Sequence, residues 1–314
     1  MTLHVVLGGS GGAGSAVVRA LRAQGKEVRA ISRHQPAQIL GGVNWRVADV
    51  TDSESLRNAL EGANVVYHCA QPEYAQWSSK FPSMNSNILH AVEAVKAKLV
   101  FADNLYMYDS SRAINEQSAQ SPVSKKGAIR KQLGEQMLEW HRAGRVEVAI
   151  GRGSDYYGPG VHGSSAGADF FKRILDGKPA QWAGRADQPH ALTFIDDFAR
   201  ALVRLGETPS ASGKAWVIPT AEAMTAKDFA SLIAEVAGKP DKGVSALPGW
   251  AMPMVGMFVP IVRELYDIRY QTEQPFTVDG RVFAKTFGFE PTPHREAIRA
   301  TITSLQTDSP LAHA

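Results

Sequence analysis

The chain has 314 residues, of which 44% are hydrophobic and 21% charged, a balance that is ordinary for globular proteins and argues against long disorder. Lys and Arg outnumber Asp and Glu by only 34 to 31, and no run of like charges stands out, so we expect no nucleic-acid partner. The single cysteine, Cys69, excludes an intramolecular disulfide and favours a cytoplasmic location.

The first half of the chain alternates short β-rich runs with helical patterns. Strands are predicted at residues 4–7, 27–31, 43–47, 65–69, 99–102 and 146–151, and helices at residues 13–23, 53–60, 87–95 and 128–141. Strands separated by helices at this spacing predict an α/β fold with a doubly wound, Rossmann-like parallel sheet. Because the first strand begins at once, we expect no secretion signal before it.

The composition changes after Arg152, where residues 153–167 are rich in Gly, Pro and Ser, as at a crossing between lobes. Residues 192–195, 197–205 and 215–218 then have the patterns of sheet and covering helix again. We therefore predict a first domain of residues 1–155 plus about 190–220. Residues 156–189 and 221–314 are predicted to form a smaller, mostly C-terminal α+β domain.

Residues 243–262 carry no charge and approach the length that spans a bilayer. Pro248, Pro253 and Pro260 would break the helix that a span requires. We interpret the segment as buried or lid-forming, and we expect no membrane partner.

A Gly-rich run, Gly8 to Ser15, lies directly between the first predicted strand and the first helix. It can be read as GxGxxG or as GxxGxxG with a serine in the third place. Such a turn lets the backbone approach a pyrophosphate, whose charge meets the amides at the helix N-terminus. We predict a dinucleotide site, with a tight turn that holds no ligand as the alternative. The predicted contacts are Gly9, Ser10, Gly11, Gly12 and Ala13.

The second strand ends at Ser32, Arg33 and His34, without the acid that usually binds the ribose hydroxyls of NAD. Arg33 can pair with a 2′-phosphate and Ser32 can donate beside it, so NADP is favoured over NAD as the cofactor. The alternatives are an exposed arginine and a loop histidine without a ligand.

Two further segments complete the predicted cofactor site. Asp49 and Val50 follow the strand at 43–47, where the carboxylate can accept from an adenine amino group or cap the next helix, whose N-cap is predicted at Thr51 or Ser53. Ala70 and Gln71 end the strand at 65–69, and small residues there allow the cofactor ribose to pass closely.

As a set, these residues resemble the extended, atypical short-chain dehydrogenase/reductase superfamily, which includes the NAD(P)-dependent epimerases and dehydratases. Four more segments match it in order and spacing, so the resemblance covers nearly the whole chain: VFADNLYMY at 100–108, GRGSDYYGPG at 151–160, FIDDFARA at 194–201 and FGFEP at 287–291. It implies a doubly wound parallel sheet and a small, mostly C-terminal substrate domain. A homodimer is common in the superfamily.

The superfamily's Tyr-x-x-x-Lys pair is missing, since no Tyr stands four residues before any Lys in this sequence. Aligning Glu135 with the family's glutamate puts Lys131 at the family's Lys and Gly127 at its Tyr. Asn104 replaces the family's Ser/Thr at the end of the fifth strand. The resemblance implies that Lys131 holds the nicotinamide ribose, with a solvated helix lysine as the alternative. Lys125 or Lys126 would take the role if the register differs.

Another phenol is expected to replace the missing one. Tyr106 falls at a substrate-facing acid/base position of the sugar dehydratases in this superfamily, so we predict that it donates a proton beside Lys131. Tyr156, which follows Gly153 where the family lines the nicotinamide pocket, is the second candidate. The alternative for both tyrosines is packing at a strand end. Asp103 and Asp155 are further candidate acids.

The leading hypothesis is an NADP(H)-dependent oxidoreductase that transfers hydride to or from a small, fairly apolar carbonyl or conjugated substrate. It rests on an apolar wall expected from Trp250, Met252, Met254, Met257 and Phe258, for which core packing is the alternative. A nucleotide-sugar epimerase or dehydratase is the first rival. A redox-silent NADP-sensing regulator, favoured by the missing Tyr-x-x-x-Lys, is the second. Scattered histidines and an isolated Cys69 predict no metal site.

Overall fold

The structure is a computed structural model that describes residues 2–35, 41–109 and 111–307. The strands in these ranges are β1 (Leu3–Leu7), β2 (Glu27–Ser32), β3 (Val43–Val47), β4 (Val65–His68), β5 (Lys98–Asn104), β6 (Val148–Gly153), β7 (Asp155–Tyr157), β8 (Ala180–Ala183), β9 (Leu192–Phe194), β10 (Ala215–Val217) and β11 (Val244–Leu247). The helices are α1 (Gly12–Ala23), α2 (Ser53–Leu60), α3 (Trp77–Val95), α4 (Lys125–Arg142), α5 (Ala168–Leu175), α6 (Ile195–Glu207), α7 (Ala226–Val236), α8 (Met252–Gly256), α9 (Pro260–Tyr266), α10 (Tyr270–Glu273), α11 (Arg281–Phe287) and α12 (His294–Thr307).

The main sheet has seven strands in the order β10-β6-β5-β4-β1-β2-β3. The pairs β1–β2, β2–β3, β1–β4 and β4–β5 run parallel, with Leu7 opposite Ile31 on one side and His68 on the other. The chain builds outward from β1 first to β2 and β3, and then in the other direction from β4. The strand order therefore reverses between β1 and β4, which is where doubly wound proteins bind their ligands. The predicted fold class is confirmed.

The central strands β1, β4 and β6 are buried at every position because helices cover both faces of a doubly wound sheet. All five residues of β1 are buried. On α1 the apolar residues Val17, Val18 and Leu21 recur at helical spacing and are buried, while Arg22 and Gln24 close its C-terminal end. This burial of one helix face against the sheet stabilises the start of the fold.

The chain divides into two compact units. Unit 1 consists of residues 1–104, 128–152 and 198–216, and unit 2 of residues 105–127, 153–197 and 217–314. Unit 1 contains most of the seven-stranded sheet. Unit 2 contains two small sheets, β7 with β9 and β8 with β11, both parallel. Its core includes Tyr157, Phe171 and Phe229, which are fully buried. Unit 2 also takes in residues 105–127, which the sequence-based division assigned to the first domain.

The uncharged segment 243–262 forms β11, α8 and the start of α9. Of the five residues expected in the apolar wall, only Met252 is buried. Trp250 is 80% exposed and Phe258 85%, and Met254 and Met257 are exposed as well. Core packing as the explanation of these side chains is therefore wrong for four of the five. Among the described residues, no helix combines the length and the apolar character that crossing a membrane requires.

Candidate functional site

The Gly-rich turn of unit 1 is enclosed by neighbouring backbone, so that it has no room for side chains. Its first two amides, of Gly8 and Gly9, donate to the carbonyl oxygen of Ile31 at 2.9 and 3.0 Å. Gly8 has φ +77°, and a Cβ there would lie 2.8 Å from the Cα of Ala70, which follows β4. A Cβ on Gly9 would lie 2.9 Å from the Cβ of Ala30. Glycine is required at both positions.

The N-terminus of α1 continues this turn. A Cβ on Gly14 would overlap the carbonyl oxygen of Gly8 and lie 2.7 Å from its carbonyl carbon. Gly11 is the N-cap without a side-chain hydrogen bond, and the first turn holds no acidic residue. Ser10 and Gly11 are exposed, and Gly12 is half-buried. The amides of Gly9 and Gly11 already donate to backbone oxygens, of Ile31 and Gly8. The amides at an uncapped helix N-terminus suit a phosphate group, so a pyrophosphate at this turn stays a prediction.

The end of β2 presents a cation to solvent. Arg33 and His34 are exposed, whereas Ser32 is buried and its hydroxyl donates to the carbonyl oxygen of His34 at 2.5 Å. Arg33 therefore has the exposure that binding a 2′-phosphate requires, and Ser32 already has a partner within the turn.

Asp49 follows β3 and closes a local turn. Its Oδ1 accepts from the amide and the hydroxyl of Thr51, both at 2.8 Å. These hydrogen bonds lower the pKa of Asp49, and the charge of Arg33 makes a smaller contribution in the same direction. Helix α2 is capped by Asp52, which accepts from Glu54 and Ser55. The predicted N-caps Thr51 and Ser53 are wrong, and so is helix capping by Asp49.

Asp103, named above as a candidate acid, lies in a buried charge cluster of β5, β6 and α4 whose arginines the sequence analysis missed. The two carboxylate oxygens of Asp103 contact Arg130 at 3.3 Å and Arg152 at 3.0 Å. All three side chains are almost inaccessible to solvent. Arg130 also donates to Oε1 of Gln71, which follows β4, at 2.8 Å. The charge cluster thus ties a predicted cofactor contact to the C-terminal ends of two strands.

Two features of the sequence could have indicated this cluster. Arg152 interrupts an apolar strand, and Gly134 interrupts the helix that passes it. A Cβ on Gly134 would lie 2.9 Å from a guanidinium nitrogen of Arg152, so the glycine makes room for the arginine. Arg130 in turn lies 4.4 Å from the ring centre of Trp77 and 4.8 Å from that of Phe81, within cation–π range.

His68, the last residue of β4, and Cys69, which follows it, do not carry charge. His68 is completely buried, with its ring centre 5.0 Å from that of Phe101. Burial and the nearby charge of Arg130 lower the pKa of His68 to about 3. Burial raises the pKa of the Cys69 thiol to about 12. Neither side chain is a charged acid/base or a thiolate nucleophile at neutral pH.

The predicted catalytic residues of unit 1 lie in α4 and β5. Lys131 has a half-buried side chain whose Nζ is 3.8 Å from Oε1 of Glu135, one helical turn further on. Asn104 is the buried last residue of β5. Their roles at the ribose and the substrate oxygen stay predictions.

Gly127, which the resemblance aligns with the family's tyrosine, has no space for a side chain. A Cβ on Gly127 would overlap the carbonyl oxygen of Tyr106 and lie 3.0 Å from Oγ of Ser124. The neighbouring Lys126 is buried, with Nζ 2.6 Å from Oε2 of Glu264. A side chain at Gly127 would therefore require this backbone of unit 2 to move.

The other predicted catalytic residues also belong to unit 2. Tyr106 is half-buried, and its carbonyl oxygen accepts from the hydroxyl of Tyr270 at 2.9 Å. Tyr156 is half-buried in β7, opposite Thr193. Gly153, a predicted cofactor contact that also belongs to unit 2, is the buried last residue of β6. The predicted residues of unit 1 are Gly9, Ser10, Gly11, Gly12, Ala13, Ser32, Arg33, Asp49, Val50, Ala70, Gln71, Asn104 and Lys131.

Residues 4–218 match the model of the NAD dependent epimerase/dehydratase family. The chain belongs to this family, as the resemblance implied. Solved structures with the same fold include the UDP-glucuronic acid 4-epimerase of Bacillus cereus, with 18% identity, a TM-score of 0.78, and 98% of this chain and 99% of that chain covered. The dTDP-glucose 4,6-dehydratase DesIV of Streptomyces venezuelae has 18% identity, a TM-score of 0.79 and 98% of both chains covered. MoeE5 has 21% identity and a TM-score of 0.76, and the match covers 98% of this chain and 99% of MoeE5.

Curated relatives match only a short stretch. Three uncharacterised proteins, from Mycobacterium bovis and two strains of Mycobacterium tuberculosis, are 38% identical to this chain over 65 residues. The alignment covers 21% of this chain and 8% of the length of each relative.

Proposed function

We propose that this protein is an enzyme that binds a nicotinamide dinucleotide on unit 1 and uses it to transform a nucleotide sugar by hydride transfer. The observation that carries the proposal is the Gly-rich turn. Three of its glycines, Gly8, Gly9 and Gly14, have no room for a Cβ, and the helix that follows begins without a side-chain cap. A backbone surface of this kind suits a pyrophosphate. When bound, the dinucleotide would supply a hydride acceptor or donor.

The sugar substrate is proposed from the related structures. The UDP-glucuronic acid 4-epimerase and MoeE5 were both solved with UDP-glucuronic acid and NAD, and DesIV with NAD. These related structures support a nucleotide sugar as the substrate better than the apolar carbonyl compound that was the leading hypothesis from the sequence. The small apolar substrate stays a second candidate, because Trp250 and Phe258 leave large apolar surfaces in solvent.

The proposed cofactor is NADP, although the related structures contain NAD. The exposed Arg33 and the absence of an acid at the end of β2 support a 2′-phosphate. Asp49 would bind the adenine, and the backbone amides of the Gly-rich turn would bind the pyrophosphate. Lys131 is proposed for the ribose, and Tyr106 with Asn104 is the sequence-derived candidate for proton transfer, followed by Tyr156.

Two measurements on the full chain test this function. Isothermal titration with NAD⁺ and NADP⁺ tests the dinucleotide site. Incubation of UDP-glucose, UDP-glucuronic acid and dTDP-glucose with each cofactor, followed by product analysis by mass spectrometry and NMR, tests the substrate class. Oxidation of NADPH in the presence of ketones and enones, with the sugars left unchanged, would favour the second candidate. Tight cofactor binding without turnover of any probe would favour the redox-silent regulator.

A further inference from the structure

A buried histidine in unit 2 lies between two hydrogen-bond acceptors. His190 is 2% exposed. Its Nδ1 is 3.1 Å from the carbonyl oxygen of Gln271, and its Nε2 is 3.0 Å from Oδ2 of Asp155. The ring of Phe276 stacks on the imidazole at 5.3 Å, and Trp182 meets it edge-on at 5.5 Å. Asp155 is thus the charged group that faces His190, while aromatic rings cover the imidazole.

This geometry requires one proton more than a neutral imidazole with an ionised carboxylate contains. A neutral imidazole has a single N–H, and the carbonyl of Gln271 can only accept. If that N–H is at Nδ1, the lone pair of Nε2 would point at the Asp155 carboxylate in a buried site, which is unfavourable. A second proton on His190, or one on Asp155, removes the conflict. Both contacts of His190 are satisfied when Asp155 and His190 hold one further proton between them, here called the shared proton.

Another buried histidine of the same unit, His294, has contacts that a neutral imidazole satisfies without an extra proton. His294 has Nδ1 3.0 Å from the hydroxyl of Tyr157 and Nε2 2.8 Å from the carbonyl oxygen of Glu222. A hydroxyl can donate to one nitrogen while the other donates to the carbonyl, so the neutral ring satisfies both partners. Burial also lowers the pKa of His294. His294 thus provides an internal reference for an uncharged buried histidine.

Asp155 is the accessible end of the Asp155–His190 couple. Its side chain is 15% exposed, against 3% for His190. It is the second residue after the end of β6, and the C-terminal ends of parallel strands are where α/β proteins bind their ligands. The couple is also joined to a predicted site residue, because Gln271 donates to the hydroxyl of Tyr270, which donates to the carbonyl oxygen of Tyr106.

We propose that the Asp155–His190 couple is the proton donor and acceptor of the reaction, with Asp155 as the catalytic residue and His190 as the residue that positions and reloads it. The inference rests on the proposed function. In the reducing direction, hydride reaches the substrate carbonyl carbon, and the shared proton leaves through Asp155 to the carbonyl oxygen. The couple is left as an Asp155 carboxylate and a His190 that keeps its proton at Nδ1 on the Gln271 carbonyl. In the oxidising direction, the substrate hydroxyl returns a proton to the couple.

The first test needs no substrate. In the full-length protein labelled with ¹⁵N-histidine and ¹³C-aspartate, NMR reports the protonation of His190 and of the Asp155 carboxyl, with His294 as the reference. We expect the extra proton on one member of the couple at neutral pH. Asp155→Asn keeps the size of the side chain, and its amide can donate to Nε2. In this variant His190 should become neutral with its proton at Nδ1, while His294 stays unchanged. A bare Nε2 beside an ionised Asp155 in the parent protein would overturn the shared proton.

The second test uses UDP-glucose and UDP-glucuronic acid as probes, with the cofactor that the parent protein prefers. Asp155→Asn should lower kcat by about 10²–10⁴-fold, the usual contribution of a positioned acid or base, and leave KM and the Kd of the cofactor within about threefold. The matched control is Asp187→Asn, which removes an exposed carboxylate paired with Arg185 in the same unit and should keep parental turnover.

Failure of the inference and failure of the proposed function give different results. A parent protein that turns over neither probe contradicts the proposed substrate class, while the NMR result still decides whether the couple shares a proton. An active parent whose Asp155→Asn variant keeps full kcat, while Tyr106→Phe loses it, overturns the assignment of Asp155 and returns proton transfer to the phenol.

Discussion

Substitution of Gly14 by alanine should disrupt both the Gly-rich turn and cofactor binding. The added Cβ would overlap the carbonyl oxygen of Gly8 and lie 2.7 Å from its carbon and 3.0 Å from the Cα of Gly9. Carbon atoms in contact normally lie about 3.5–4.0 Å apart, so the turn would have to move by roughly 0.5–1.3 Å. Both neighbours are backbone atoms, and they cannot rotate away as a flexible side chain could.

The expected magnitude follows from two opposing effects. Glycine to alanine inside a helix normally gains up to about 1 kcal/mol, whereas overpacking of a close contact costs about 1–3 kcal/mol or more. Because the overlap at Gly14 is severe, we expect a net loss of about 1–2 kcal/mol, which is a fall in Tm of roughly 1.5–3 °C for a chain of 314 residues. Displacement of the turn should also raise the Kd of NAD⁺ and NADP⁺ at least about tenfold, since one charge-assisted hydrogen bond contributes about 1.5–3 kcal/mol.

Thermal unfolding by circular dichroism and isothermal titration measure the two effects. The matched control is Gly163→Ala, because a Cβ at Gly163 meets nothing within 4 Å and its φ is not in the left-handed region. This control should melt at the parental temperature or slightly above it, with unchanged binding. If Gly14→Ala melts and binds like the parent protein, the Gly-rich turn is not the tight cradle on which the proposed function rests.

Three further predictions concern both units. Arg33→Glu should shift cofactor preference away from NADP by at least about tenfold, as measured by isothermal titration. Arg57→Glu, which makes the same charge change on α2, should leave the preference unchanged. Equal affinity of the parent protein for NAD and NADP would contradict the role of Arg33. Gly127→Ala should lower the free energy of unfolding in urea by about 1–3 kcal/mol, and the exposed neighbour Ala128→Ser should leave it nearly unchanged; a stable Gly127→Ala variant would show that the position can accept a side chain. Because the pKa of His68 is about 3 in the folded protein and about 6.5 when unfolded, the unfolded state takes up the proton first as pH falls below about 6.5. When the pH falls from 7.5 to 5, the free energy of unfolding should therefore decrease by about 2 kcal/mol more in the parent protein than in His68→Leu. An equal decrease in both proteins would show that His68 is in contact with water.

The candidate site could be predicted in part. The turn glycines, Arg33 and Asp49 could be predicted as site residues because they are local features, each defined by the few residues around a strand end. The charge cluster was missed because it joins residues far apart in the chain. Asp103 and Arg152 are separated by 49 positions, and Gln71 and Arg130 by 59. In the sequence Arg130 reads as an ordinary helix cation, and it is buried only because a carboxylate and an amide are there to receive its hydrogen bonds.

The sequence by itself determined the fold class, since alternating apolar strands and helices bury both faces of a parallel sheet, and a Gly-rich turn after the first strand is typical of the doubly wound arrangement. It also determined the place of the turn between β1 and α1, because strand, glycines and helix are consecutive in the chain. Tertiary structure alone decided which charges are buried and which apolar side chains are not. Trp250 and Phe258 have the composition of a core but lie in solvent. His190 reads as one scattered histidine among nine, yet folding places it between Asp155 and Gln271, 35 and 81 positions away. Burial and partner choice depend on contacts distant in sequence, and no local pattern encodes them.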